Sequence, residues 1–272
     1  MTTQLEKWLD ESNHQGDVTP AEVLNAKTQG YVGAIIDLYQ TSAVQQLTAW
    51  RDAGFRLRAY IYLNFPGGDF YSGKNAADQA SVALALCAGF TIEKVYLDCE
   101  DPKDNLDAAG TVDFIAGARD IVVASGFACG IYTASGWWRQ FTGDTHDFAG
   151  LPLWLATDND VPDLAFADPF GGWTELDGNQ DSWHARDIDP NQDFDESVMR
   201  GAANVAVQFT KIINTDAVTE AQRIGTHLAE ADAEQNGEFA AIVTDAESLA
   251  ALGVGPNQTA YILVVNNDVK GA

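Results

Sequence analysis

Short apolar segments alternate regularly with amphipathic ones along the first 157 residues, and this alternation restricts the possible folds more than any other property of the chain. Strands that are apolar along their whole length are typical of a parallel sheet covered by helices, because both faces of such a sheet are buried. The spacing of a few tens of residues predicts an α/β fold, a TIM-like (β/α) barrel. The apolar segments are residues 5–9, 31–38, 58–65, 93–99, 128–133 and 151–157.

Polar residues stand at or near the end of each of these segments. In a barrel of parallel strands the carboxyl ends open at one face, and functional groups gather there. Recurrence over six strands is harder to explain as solvation of an acidic surface than any single acid would be. We therefore predict a site at this face, built from Asp10, Asp37, Asn64, Asp98, Glu100, Tyr132 and Asp158.

The fourth apolar segment ends with two acids, Asp98 and Glu100. Side chains alternate along a strand, so both acids point to one face, with Cα atoms roughly 6.6 Å apart. Two carboxyl groups separated by about 5–5.5 Å suit retaining glycoside hydrolysis. Repulsion between them raises the proton affinity of each, so that one can stay protonated while the other is ionised. The alternative is a pair of solvated turn acids in a very acidic protein.

The net charge of −25 and the pI near 4.1 argue against binding to nucleic acid or to an anionic membrane surface. The charge fits an extracellular or virion setting, or simple solubility. Cys87, Cys99 and Cys129 fall inside apolar runs and are expected to be buried rather than disulfide-bonded. The sequence has no CxxC pair or Cys/His cluster, so we predict neither a metal nor another cofactor.

The two ends of the chain add further expectations. Residues 1–7 lack the basic start and apolar run of a signal peptide, and no run is long enough for a membrane helix. An extracellular or virion-associated location would then require export or transport by other means.

Residues 158–196 are acidic and rich in turn residues, which predicts a long loop. Strands are expected at 204–210 and 212–216, so the predicted barrel spans 1–216, and 217–272 form a helix and a small α+β unit.

Five short motifs resemble those of the glycoside hydrolase family 25 lysozymes, and they occur in the order in which that family has them. The resemblance covers roughly residues 5–216. The motifs are residues 9–16 (aspartate-x-serine-x-x-glutamine-glycine), 96–100 (aspartate-x-glutamate), 130–133 with Trp137 (glycine-x-tyrosine), 153–156 (leucine-tryptophan-x-alanine) and 207–210 (tryptophan-glutamine-tyrosine).

The resemblance implies an irregular barrel of the (β/α)5β3 type. It also implies hydrolysis of the β-1,4 bond between N-acetylmuramic acid and N-acetylglucosamine in peptidoglycan. By position, Glu100 would be the general acid and then the base. Asp98 would orient the substrate's own 2-acetamido group as that group attacks the anomeric carbon. Asp10 would bind the sugar, and Asp216 is our choice for the family's fourth acid, although it could instead cap the helix that begins at Ala217.

The remaining candidates are substrate-binding residues at the same face. Aromatic rings suit the apolar CH faces of sugars, but each of these aromatic residues could equally belong to the core. The full set of predicted substrate-binding residues is Asp10, Asp37, Asn64, Tyr62, Tyr132, Trp137, Trp154, Gln208 and Asp216.

Three functions fit these residues. The first is a muramidase in a phage lysin or a virion-associated tail protein, acting on peptidoglycan glycan strands. The second is a non-catalytic module of a phage tail that grips cell wall on the same barrel. The third is a chitinase-type hydrolase, against which residues 10–16 argue. In a phage setting, the C-terminal unit is expected to contact phage structural proteins.

Overall fold

The computed structural model describes residues 5–12, 15–67, 73–100, 106–182, 188, 194–201, 207–208, 238–243 and 260–265. The chain divides into two compact units, Met1–Gly201 and Ala202–Ala272.

The first unit is a closed barrel of eight strands in sequence order. Strands β1 to β7 run parallel to one another in sequence order. Strand β8 is antiparallel to both β7 and β1. This confirms the predicted α/β barrel. The strands are β1 Leu5–Glu11, β2 Gly33–Asp37, β3 Arg56–Tyr62, β4 Ile92–Cys99, β5 Cys129–Thr133, β6 Leu153–Ala156, β7 Gly178–Ser182 and β8 Asp195–Arg200.

One helix follows each of the first five strands, which gives the five β/α units and three closing strands that the resemblance implied. Thr19 caps the first helix together with Glu22, and Pro20 occupies its first position, as the sequence pattern indicates. The helices are α1 Pro20–Thr28, α2 Ala43–Asp52, α3 Ala76–Leu84, α4 Ala108–Ala124 and α5 Ser135–Thr142, and a short 3₁₀ turn, Ala85–Cys87, follows α3.

Apolar residues form two separate clusters in this unit. The larger lies between the strands and the surrounding helices and includes the three buried cysteines, whose burial was predicted. The smaller fills the barrel interior with large side chains, and glycines on neighbouring strands make room for them. A Cβ at Gly33 would lie 2.4 Å from Trp8, and one at Gly130 would lie 2.6 Å from Tyr96. The interior cluster is Trp8, Ile35, Tyr60, Tyr96, Tyr132, Trp154 and Met199.

Charged side chains fill the amino end of the barrel below this cluster. The buried Arg58 lies over the Trp8 ring and donates to the Tyr96 hydroxyl, at 3.0 Å. Asp177 accepts from Lys94 at 2.6 Å and also pairs with Arg58. Burial opposes ionisation of Asp177, but Lys94 and Arg58 outweigh it and lower the pKa of that carboxyl. Each buried charge at this end is therefore balanced.

The barrel closes earlier along the chain than we predicted. Residues 158–196, expected to be a loop, contain β7 and the start of β8, and β8 completes the barrel at Arg200. The prediction that strands within 204–216 close the barrel is therefore wrong. The physical reason is that β7 (Gly-Asn-Gln-Asp-Ser) has no apolar residue, although Asn179, Gln180 and Asp181 are all buried.

The second unit contains a three-stranded sheet in the order β10–β11–β9. Strand β9 is Val207–Gln208, β10 is Glu238–Val243 and β11 is Ala260–Val265, and both neighbouring pairs are antiparallel. Strand β9 lies within the strand expected at 204–210, and β10 and β11 lie in the segment for which a small α+β unit was expected. The predicted strand 212–216 and the predicted domain boundary at 216 lie outside the described residues. Over the described part of the chain, no helix is both long enough and apolar enough to cross a membrane.

Glu11, the last residue of β1, is fully buried on the helix side of the strand. Its Oε1 accepts from the indole nitrogen of Trp50 on α2, at 2.5 Å. Its Oε2 has no hydrogen-bond partner among the described residues. Burial raises the pKa of Glu11 well above its usual value, and the Trp50 bond only partly offsets this. The fold therefore favours the protonated form of Glu11, and its stability falls as pH rises from the unfolded-state pKa of about 4.3 towards the folded-state value.

We expect Glu11→Gln to raise the Tm by about 2–4 °C at pH 8 and to leave it unchanged at pH 4. Glutamine keeps an acceptor for Trp50 but cannot ionise. Thermal unfolding followed by circular dichroism at the two pH values would measure the effect. Glu175→Gln, at an exposed carboxyl, serves as the control. An equal shift at both pH values would contradict the account.

Candidate active site

The carboxyl ends of the parallel strands surround a cleft of about 480 Å³. The start of β8 lies at the same end, because β8 runs in the opposite direction. Every barrel strand, or the residue or two that follow it, supplies a lining side chain. The lining residues are Asp10, Ser12, Asp37, Tyr39, Tyr60, Tyr62, Asp98, Glu100, Tyr132, Trp154, Gln180 and Asp195.

The structure brings the predicted catalytic pair, Asp98 and Glu100, into this cleft. Asp98 is 3% exposed and lies in register between Tyr62 of β3 and Tyr132 of β5. Glu100 follows β4 and is exposed. The charge of Glu100 contributes to raising the pKa values of Asp10 and Tyr132, after the larger effect of burial. The two acids thus combine one buried and one accessible carboxyl in the same cleft.

Gln180 connects opposite sides of the cleft through its side-chain amide. Its Oε1 accepts from the Tyr132 hydroxyl at 2.5 Å. Its Nε2 donates to Asp10 Oδ2 at 3.0 Å and to Asp195 Oδ2 at 3.1 Å. Asp10 and Asp195 are also register partners on β1 and β8. Gln180 therefore holds two carboxyl groups side by side with a single donor group.

Burial, and for Asp10 also the charges of neighbouring acids, raises the pKa of carboxyl groups in the cleft. Burial is the largest cause of the raised pKa of Asp10, followed by the charges of Asp195, Asp37 and Glu100. Burial also raises the pKa of Asp37 to about 6, although the Tyr39 backbone N–H donates to its Oδ1 and lowers the value. A cleft of this kind can store and transfer protons near neutral pH.

The predicted residues divide into three groups by position. Asp10, Asp37, Tyr62, Asp98, Glu100, Tyr132 and Trp154 all line the cleft. Asn64 and Trp137 do not, because both pack behind the strands. The backbone of the fully buried Asn64 forms two hydrogen bonds with the Gln79 side chain on α3, and Trp137 packs against Phe65 and Phe141.

Two further predicted residues remain untested. Gln208 lies in β9 of the second unit, so its predicted binding of substrate stays a prediction. Asp216 lies outside the described residues, so its role as the fourth acid stays a prediction. Asp158, just past β6, has a positive φ of 46° and donates its backbone N–H to the Gln180 carbonyl, at 3.3 Å.

Among the described residues, no group of His, Cys, Asp and Glu is arranged to hold a metal ion. The absence of a cofactor also remains a prediction.

Sequence reasoning missed several cleft residues. Gln180 and Asp195 went unrecognised because the closing strands were placed too late in the chain. The available signal was weak, since only Val198 and Met199 follow Asp195 as an apolar pair. Tyr60 faces the cleft from the barrel interior, and Tyr39 and Ser12 belong to connections after β2 and β1.

Comparisons with known proteins show which family and fold this chain resembles. A family model described as Lys-1, lysozyme-like protein 1, matches residues 11–180. Lysozyme-like protein 5 of Caenorhabditis elegans is 33% identical over 104 residues, which is 37% of this chain and 48% of that protein. The match with this curated relative thus spans about half of the relative's length.

Two solved structures show the same fold. A family 25 glycoside hydrolase lysozyme from Aspergillus fumigatus has a TM-score of 0.58 at 21% identity, over 73% of this chain and 95% of that one. The modular autolysin LytC from Streptococcus pneumoniae, solved in complex with a synthetic peptidoglycan ligand, has a TM-score of 0.56 at 15% identity. That match covers 71% of this chain and 46% of LytC.

We expect Asp195→Asn to lower the pKa of Asp10, because Asp195 is the charge that raises it most after burial. Asparagine still offers an oxygen to Gln180. Asp37→Asn should lower the same pKa by less, and Asp113→Asn on the exposed face of α4 should not change it. Carboxyl-carbon NMR titration would measure each value. An unchanged Asp10 pKa in Asp195→Asn would contradict this electrostatic account.

Proposed function

The chain belongs to the lysozyme-like protein 1 family and has the barrel of the glycoside hydrolase family 25 lysozymes, and from this membership we propose that it is a peptidoglycan hydrolase. Its substrate would be the β-1,4 bond between N-acetylmuramic acid and N-acetylglucosamine. The observation that carries the proposal is the placement of Asp98 and Glu100 in one open cleft with Asp10 and Asp195.

Glu100 is our candidate for the proton donor. It is accessible from solvent, so a glycosidic oxygen can reach it. After the leaving sugar has departed, the same carboxylate would take a proton from the incoming water.

Asp98 is our candidate for the group that assists the substrate. Its carboxyl is buried between Tyr62 and Tyr132, where strand pairing fixes its position. A carboxylate held in this way can orient the N–H of a 2-acetamido group and stabilise the positive charge that develops as the acetamido oxygen attacks the anomeric carbon. The reaction would retain the anomeric configuration.

The other cleft residues would bind the glycan. Tyr132 and Trp154 contact each other with ring centroids 4.4 Å apart, and their edges form the floor of the cleft. Tyr62 lies beside Asp98 on the next strand. Asp10 and Asp37 supply acceptors for sugar hydroxyl or amino groups. The peptidoglycan ligand bound to LytC, which has the same fold, supports a glycan of this type as the substrate.

The accessible Glu100 favours an enzyme over a module that only grips cell wall, because binding alone does not need an exposed acid beside a buried one. A chitinase-type hydrolase would use similar acids, and cleavage of chitin oligomers would distinguish it from a muramidase.

The extracellular or virion-associated setting of the protein remains our proposal. It rests on the acidic composition. Mass spectrometry of purified virions would distinguish a virion-associated hydrolase from a released lysin, and absence of the protein from virions would exclude the tail-protein version.

We expect Glu100→Gln to reduce the release of reducing ends from purified peptidoglycan by about 10²–10⁴-fold. Glutamine keeps the shape of the side chain but cannot donate the proton. Glu175→Gln is the matched control, because Glu175 is exposed in the connection before β7, at the opposite end of the barrel. Its rate should stay within about twofold of the wild type.

Undiminished clearing of cell walls by Glu100→Gln would remove the proposed role of Glu100. Retention of the protein on cell walls without any release of reducing ends, even by the wild type, would instead support the non-catalytic module.

A further inference from the structure

The charge of the cleft exceeds what hydrolysis of a neutral glycan requires. Five of its lining residues are carboxylic acids: Asp10, Asp37, Asp98, Glu100 and Asp195. Among the described lining residues there is no Lys, Arg or His to offset them. The sugar rings of fully N-acetylated peptidoglycan carry no cation. Asp10 and Asp37 form no ion pair with the described residues, and such a substrate would bring no cation to them when it displaces water from the cleft.

Asp10 provides an independent sign that a donor is missing. The side chain lines the cleft and is 5% exposed, and Gln180 donates to its Oδ2. Its Oδ1 is buried and has no hydrogen-bond partner within the described part of the chain. A buried carboxylate oxygen without a donor is costly, so a donor group on a ligand would stabilise this arrangement.

Asp37 and Tyr39 form the neighbouring wall of the cleft. The charge of Asp37 contributes to the raised pKa of Asp10, which places the two carboxyl groups within electrostatic reach. Asp37 Oδ1 accepts from the Tyr39 backbone N–H at 2.8 Å and so fixes the backbone that carries Tyr39. The Tyr39 side chain lines the cleft and is half exposed. An exposed ring beside a carboxylate can stack on the CH face of a sugar while the acid binds a substituent of that sugar.

We propose that Asp10, Asp37 and Tyr39 bind a sugar that carries a free 2-amino group, so that the preferred substrate is partially N-deacetylated peptidoglycan. This inference rests on the proposed function. An ammonium group donates up to three hydrogen bonds and carries a positive charge opposite to those of Asp10 and Asp37. The amino sugar must occupy a different position from the sugar whose acetamido group attacks, because that acetamido group has to be intact.

The charge of the whole protein agrees with this preference. A chain with a net charge of −25 is repelled by the carboxyl groups of peptidoglycan peptides. Deacetylation adds cations to the glycan, which reduces this repulsion and steers the glycan towards the acidic cleft.

The test compares two forms of one peptidoglycan preparation, one partially N-deacetylated and the other chemically re-N-acetylated. We expect the wild type to show a kcat/KM about tenfold higher on the deacetylated form. In Asp37→Asn the ratio of the two kcat/KM values should fall close to one. This variant keeps an oxygen for the Tyr39 N–H. Asp113→Asn, on the exposed face of α4, should keep the wild-type ratio.

The possible outcomes separate this inference from the proposed function. Equal wild-type rates on both forms would overturn the inference and leave hydrolysis intact. If neither form is cleaved, the proposed function fails. Calorimetry with chitosan and N-acetylated chitin tetramers then decides the inference alone. Tighter binding of the amino form, lost in Asp37→Asn, would support the amino-sugar site, and equal binding would overturn it. Faster cleavage of chitosan than of deacetylated peptidoglycan would overturn the choice of peptidoglycan.

Discussion

The confinement of five carboxyl groups to one rim of a closed barrel is the constraint on which the rest of this structure depends. Closure by an antiparallel β8 creates it, because only a reversed strand places its first residue, Asp195, beside Asp10 at the carboxyl end of β1. Gln180 then bridges the two acids. The folded barrel has to supply the free energy that burying these carboxyl groups costs: burial raises the pKa values of Asp10 and Asp37, and neighbouring acids raise that of Asp10 further.

The remainder of the barrel supplies a rigid support for this rim. Aromatic side chains fill the interior, and Gly33, Gly130 and Gly178 give them room. Below them, Arg58 and Lys94 neutralise Asp177, so the amino end is stabilised by opposite charges while the carboxyl end concentrates like charges. This polarity along one axis places the cleft and its five acids at the carboxyl end of the barrel. It gives a physical reason why chemistry would occur at that face.

Much of this arrangement was readable from the sequence, and the exceptions have clear causes. The apolar segments predicted the first six strands. The alternation of side chains along a strand predicted that Asp98 and Glu100 share one face. Strand β7 was not predicted, because its residues are polar. Their burial depends on hydrogen bonds, which a hydropathy pattern does not show. Asn64 has the same parity as Tyr60 and Tyr62, but β3 ends at Tyr62, and the chain turns Asn64 away from the cleft.

The stereochemistry of the product tests the central claim most directly, because it reports how the two acids act on one bond. Proton NMR of an N-acetylmuramic acid–N-acetylglucosamine oligomer, recorded during the first minutes of hydrolysis, would identify the anomer formed at the new reducing end. The account predicts that the β-anomer appears first and then mutarotates, since the acetamido group and Glu100 act in two successive displacements. Initial formation of the α-anomer would contradict it, because a single displacement by water would then replace the paired action of Asp98 and Glu100.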